Sequence, residues 1–140
     1  MRIIIPDRKK LVYETRMPMR WGDMDAMRHL NNAMYFRYME TARVDWFTSL
    51  GCLADGSEQG PVIVNAFCNF YEQLRYPGEV VLRMFVSDPG RATFETWTQM
   101  ARGDAPERVC AEGGATTMWV DFTRNRSADL PDWLRRAVAD

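Results

Sequence analysis

The chain holds a single histidine, His29, and three cysteines, Cys52, Cys68 and Cys110, among 140 residues. One histidine cannot complete a closed zinc site or a facial triad. The cysteines are too few for a disulfide framework, and no two have the close spacing of a zinc ribbon or a redox pair. No metal site is therefore expected, and sparse cysteine fits a reducing compartment, the cytoplasm. Long apolar runs are missing as well. The opening MRIIIPDRKK has three isoleucines before Pro6 and a charged stretch, far short of a secretory core or a spanning helix. The expectation is a protein neither exported nor embedded in a membrane. Charge of one sign is absent too: 18 basic and 19 acidic residues nearly cancel. With no basic run to track a phosphate backbone, nucleic acid is set aside as a partner. A net charge near zero also leaves little to hold copies apart, which permits self-association.

Hydrophobic residues make up 46% and charged residues 26%, the balance of a globular chain. Residues 1–140 are expected to form one domain, burying roughly two thirds of the surface that the unfolded chain exposes. Residues 11–17 alternate with the period of a half-buried strand. After a polar stretch over 20–32, Tyr35, Met39, Ala42, Trp46 and Leu50 recur at helical spacing, with Met34, Phe36, Tyr38 and Phe47 widening the apolar surface. The spacing predicts a helix from about 32 to 50, capped by Asn31 or Asn32 and ended by Gly51. So broad an apolar surface implies a helix wrapped by a sheet. Residues 54–61 read as a flexible connection, a candidate lid or subunit contact. Strands are expected over 62–71, 79–87, 92–101 and about 108–122, separated by turn-forming residues at 77–78, 88–90 and 102–106. A short helix over 132–139 follows Pro131, with Trp133, Leu134 and Val138 on the protein surface.

The most informative block is RWGDMDAMRHLNNAMYFRYMETAR, residues 20–43. Two aspartates, the only histidine and two asparagines lead directly into the helix. A helix start leaves backbone N–H groups unpaired and carries partial positive charge, so an acyl oxygen held there finds donors ready-made, with Asp25 beside them. Asp25 also has an ordinary reading, since loop aspartates often cap a turn or pair with an arginine. Asn31 and Asn32 serve equally as helix caps, and Tyr35, Tyr38, Met39 and Trp46 serve mainly as core. Glu40 and Arg43 are spaced to pair across one helical turn.

The element order and the runs Asp23-Met24-Asp25, His29-Leu30-Asn31-Asn32 and Tyr35-Phe36-Arg37-Tyr38, with Glu40 and Arg43, resemble the hotdog-fold acyl-CoA thioesterases of the 4-hydroxybenzoyl-CoA thioesterase-like branch. Similarity continues over 62–78 and in Trp119-Val120-Asp121. The resemblance implies an α+β hotdog fold, a curved antiparallel sheet of about five strands wrapped around a long central helix. It further implies dimers or tetramers in which paired subunits share a continuous sheet and build active sites at their interface. By position, Asp25 matches the family's catalytic carboxylate and Asn32 the residue whose backbone N–H faces the thioester oxygen, while His29 and Asn31 match positions near the active-site turn. One departure is visible. Many relatives carry glycine before this histidine, where this chain has Arg28; arginine costs about 1 kcal/mol or more in a left-handed conformation, so the turn is expected to differ slightly.

The implied activity is hydrolysis of an acyl-CoA, or acyl-carrier, thioester to free acid and thiol. Coenzyme A enters as part of the substrate, not as a cofactor. Asp25 can act as general base on water or as nucleophile through an anhydride, the Asn32 amide stabilises the oxyanion, and His29 hydrogen-bonds the turn, lines the acyl pocket or moves a proton. Tyr35 is placed to touch the acyl group, and Arg91, with Arg75 second, to meet coenzyme A phosphates. Two other readings use the same residues: a hotdog enoyl-CoA hydratase or dehydratase, and a non-catalytic acyl-thioester binding module.

Overall fold

The computed structural model describes residues 3–52 and 58–139. Strand β1 (Lys10–Pro18) leads through a loop into helix α1 (Asn32–Ser49), followed by β2 (Gln59–Phe70), β3 (Glu79–Ser87), β4 (Thr93–Arg102), β5 (Val109–Asp121), the two-residue β6 (Arg126–Ser127) and helix α2 (Asp132–Val138). The sheet is antiparallel in the order β1-β3-β4-β5-β2, with β6 beside β5. This α+β arrangement, five long strands and a helix against them, is the expected hotdog architecture with one short strand added. Among the described residues no helix is long and apolar enough to cross a membrane.

Helix α1 begins and ends where its caps require. The Asn31 side chain accepts from the Ala33 N–H at 3.0 Å, and Gly51 takes φ 78° just past the last turn, a conformation that a residue with a Cβ adopts only under strain. Its buried residues meet the sheet in two groups. Tyr35, Tyr38, Met39 and Ala42 pack with Val80, Leu82, Met100 and Ala111, while Trp46 and Phe47 pack with Met84, Val86, Phe94 and Trp119. Gly113 permits the close approach, because a Cβ there would lie 2.6 Å from the Met39 sulfur and from the Phe67 carbonyl oxygen.

Four expectations need correction. Phe36 and Leu50 are exposed, so the apolar surface of α1 is less fully covered than its composition suggests. Arg43 does not pair with Glu40, which takes Arg37 instead at 2.8 Å. Arg43 is only 9% exposed, and that burial lowers its pKa against the opposing pull of Glu40. The connection expected over 54–61 lies partly outside the described residues, and its end is already strand β2, which starts at Gln59. Finally, α2 does not lay its apolar residues on the surface. Leu134 and Val138 are 0% and 1% exposed and join the Trp46 group, leaving Trp133 edge-on to Trp119 at 5.9 Å. Turn-by-turn spacing identified the helix, but only the fold shows which side of so short a helix is covered.

Because α2 closes the core at the C-terminal end of α1, Leu134→Ala should cost about 2 to 5 kcal/mol. A lower urea midpoint with an unchanged denaturant slope is the expected result.

Candidate active site

The loop between β1 and α1 is fixed from two sides. The Met19 N–H donates to the Gly78 carbonyl and the Leu30 N–H to the Leu74 carbonyl, both at 2.8 Å, so the β2–β3 connection grips each end. Inside the loop Met24 and Leu30 form an isolated bridge, the Asn31 N–H donates to the Asp23 carbonyl at 3.0 Å, and the Tyr38 hydroxyl donates to Asp23 Oδ2 at 2.7 Å. Burial pushes the Tyr38 phenol up to about 12, and the bond to Asp23 acts in the same direction. The loop is thus tied to the helix it precedes.

Residues 25–29 form the tightest part. The Asp25 N–H donates to the His29 carbonyl at 2.7 Å and the Arg28 N–H to the Asp25 carbonyl at 3.0 Å. In return Asp25 Oδ1 accepts from the N–H groups of Met27 and His29, at 2.8 and 3.1 Å. Arg28, between those two donors, has φ 67°. It occupies the left-handed region in which a glycine would sit freely. The cost of about 1 kcal/mol for a side chain there is offset by hydrogen bonds worth about 1 kcal/mol each.

The turn opens onto a cavity of about 660 Å³ lined by Trp21, Gly22, Met24, Asp25, Ala26, Arg28 and Tyr76. Asp25 caps its turn, as the ordinary reading holds, and also faces this space as a lining residue. The capping uses Oδ1 alone; Oδ2 has no partner among the described residues. Asn32 begins α1, is exposed, and its N–H has no acceptor among the described residues. The structure therefore keeps a carboxylate oxygen and a helix-start amide uncommitted, seven residues apart in one loop-to-helix segment.

Asn32 is not part of the lining of that cavity, and the other sequence candidates are engaged elsewhere. His29 ties the turn through its backbone; its imidazole makes no hydrogen bond with described residues and is absent from the cavity lining. Asn31 spends its side-chain oxygen on the helix cap. Tyr35 is a core residue, set edge-on against Phe70 at 4.8 Å, its hydroxyl accepting from the Leu74 N–H at 3.4 Å and its pKa raised by burial. Arg91 stands apart within the chain. It pairs with Asp129 at 2.7 Å and Ser127 at 2.8 Å in another cavity, and its carbonyl holds Leu130 of the core group at the far end of α1. Tyr76 and the 76% exposed Trp21 were missed. An aromatic in a polar or Pro-Gly stretch is the signal that marks both, because neither position offers a core to fill.

The sequence from 19 to 138 matches the model of the thioesterase-like superfamily. The chain belongs to that superfamily. Among solved structures, the PA2801 protein of Pseudomonas aeruginosa, a candidate thioesterase, is 33% identical and superposes with a TM-score of 0.88 over 93% of this chain and 100% of its own. A candidate acyl-CoA thioesterase from Xanthomonas campestris is 25% identical, with a TM-score of 0.78 over 86% of this chain and 100% of its own. The gentisyl-coenzyme A thioesterase BH1999 shares the fold at 23% identity, with a TM-score of 0.79 over 91% of this chain and 100% of its own. No curated protein matches the chain. The thioesterase-like assignment thus rests on family membership and on one uninterrupted fold.

The hydrogen bonds of the turn predict a split between two substitutions. Asp25→Ala deprives two amides of their acceptor and should lower stability by about 1 to 2 kcal/mol, whereas Asp25→Asn keeps Oδ1 and should stay within about 0.5 kcal/mol of the wild type. Chemical denaturation of the three proteins side by side reads the difference.

Proposed function

We propose that this protein hydrolyses an acyl-CoA thioester to a free acid and coenzyme A. One observation carries the reading: Asp25 lines the cavity with one oxygen fixed by two amides and the other uncommitted, at the entry to a helix whose first amide is open. Thioester hydrolysis requires delivery of an oxygen nucleophile to the carbonyl carbon and donors for the oxygen that turns negative. Asp25 Oδ2 supplies the first, either by taking a proton from water or by attacking directly to give an anhydride that water then opens. The Asn32 N–H at the positive end of α1 supplies the second, a contribution of about 3 to 4 kcal/mol when such a donor is well placed. Proton transfer needs no second side chain in the general-base route, because the thiolate leaving group is stable enough to depart and take its proton from solvent. The apolar lining from Trp21, Met24 and Tyr76 suits an acyl or pantetheine arm, and the cavity volume falls within the usual range for a small-molecule site.

The working unit in this reading is a pair of chains. Strand β2 is a sheet edge 12 residues long, and it leaves Ile63, Val64 and Phe70 exposed. A long apolar edge in a monomer is an invitation to pairing, and two β2 strands joined edge to edge would continue the sheet from one copy to the next. Light scattering should return an even multiple of the 16.3 kDa chain mass. A mass of one chain across the micromolar range would contradict the shared sheet.

The catalytic reading is tested by Asp25→Asn, which preserves the turn and removes the base or nucleophile. Turnover of a panel of acyl-CoA thioesters, followed by thiol release, should fall at least a hundredfold while binding of the same compounds persists. Equal turnover in both proteins would take Asp25 out of the mechanism, and conversion of unsaturated acyl-CoA without thiol release would replace hydrolysis by hydration.

A further inference from the structure

The cavity that holds Asp25 also holds a positive charge without a counterpart. Arg28 is exposed and lines the same space, yet its guanidinium makes no hydrogen bond or ion pair with described residues, Asp25 included. Six other arginines, Arg37, Arg83, Arg91, Arg102, Arg108 and Arg124, each meet a carboxylate, whereas Arg28 shares a cavity wall with Asp25 and does not pair with it. The other lining residues besides Asp25 are neutral, so this cation dominates the wall opposite in sign to the carboxylate. Its backbone sits at φ 67°, and strain of this kind persists where surrounding structure holds it in place, commonly at binding sites. The Arg28 N–H to Asp25 carbonyl bond at 3.0 Å closes a turn between the two residues, which keeps their Cα atoms within about 7 Å. A ligand group on Arg28 is thereby held at a short, fixed offset from whatever Asp25 addresses.

We propose that Arg28 is a specificity-determining residue of this site, binding an anionic oxygen of the substrate: a carboxylate on the acyl group or a phosphate of coenzyme A. This rests on the thioesterase reading above. A planar guanidinium presents paired donors that match both carboxylate and phosphate. Next to an apolar wall such a bond is strengthened by the removal of competing water. The short separation from Asp25 favours the acyl carboxylate, since the pantetheine arm carries the phosphates well away from the thioester carbon.

Four thioesters separate the sources: a neutral acyl group and one of equal length ending in a carboxylate, each on coenzyme A and on N-acetylcysteamine, which has no phosphate. The readout is two preference ratios in kcat/KM, carboxylate over neutral and coenzyme A over N-acetylcysteamine, for wild type, Arg28→Gln, Arg28→Lys and Arg28→Gly. Arg28→Gln should lower at least one ratio about tenfold, mainly through KM. Arg28→Gly, which relieves the backbone, should shift the same ratio, and Arg28→Lys should keep more of it. A fall in the first ratio identifies the acyl carboxylate and a fall in the second the phosphate. Both ratios within twofold of wild type in Arg28→Gln and Arg28→Gly would overturn the proposal, as would equal losses in all three variants on all four substrates. Calorimetry with the four non-hydrolysable thioether analogues reads the same ratios as affinities. A wild type that hydrolyses nothing would thus refute the enzymatic reading while still deciding Arg28.

Discussion

The structure depends on how the loop before α1 is held. A helix start leaves amides that need an acceptor, and a protein can satisfy them with caps, bury them at a cost, or leave them open to a ligand. Here Asn31 satisfies one, and the Asn32 amide stays open. The same segment folds back on itself so that two further amides, from Met27 and His29, converge on one oxygen of Asp25. Both arrangements require the loop to stand still, and the β2–β3 connection supplies that rigidity through its bonds to Met19 and Leu30. Charge and donors are positioned by backbone, which is stiffer than any chain of side-chain contacts.

The core is organised to serve this end of the molecule. The first half of α1 packs under the site with Val80, Leu82 and Met100, and the second half is sealed by α2. Loss of the α2 seal would weaken the protein without touching the cavity, whereas changes in the first group would move the helix start itself. Gly113 belongs to that first region, since it lets Met39 reach the sheet.

Much of this was legible in the sequence because it is local. The Asn31 cap, the stop at Gly51 and the turn residues between strands act within a few residues of themselves, and the strands over 79–87 and the helix start at 32 were read from them. The cavity was less legible, because Tyr76 reaches it from a connection some fifty residues beyond Asp25. Arg91 was read from its turn alone, and within one chain the fold ties it to Asp129, Ser127 and Leu130, outside the lining of the Asp25 cavity. Arg28 is the instructive case. Propensity argues against a left-handed arginine, and the hydrogen bonds of the turn on both sides of it override that preference.

The central claim is that the open amide of Asn32 and the free oxygen of Asp25 address one thioester. A crystal structure with a non-hydrolysable acyl-CoA ketone analogue tests it most directly. The account predicts the ketone oxygen within about 3 Å of the Asn32 nitrogen, with the Asp25 carboxylate beside the carbonyl carbon. An analogue bound with its ketone oxygen on other donors, and with Asp25 turned from the carbonyl, would contradict it.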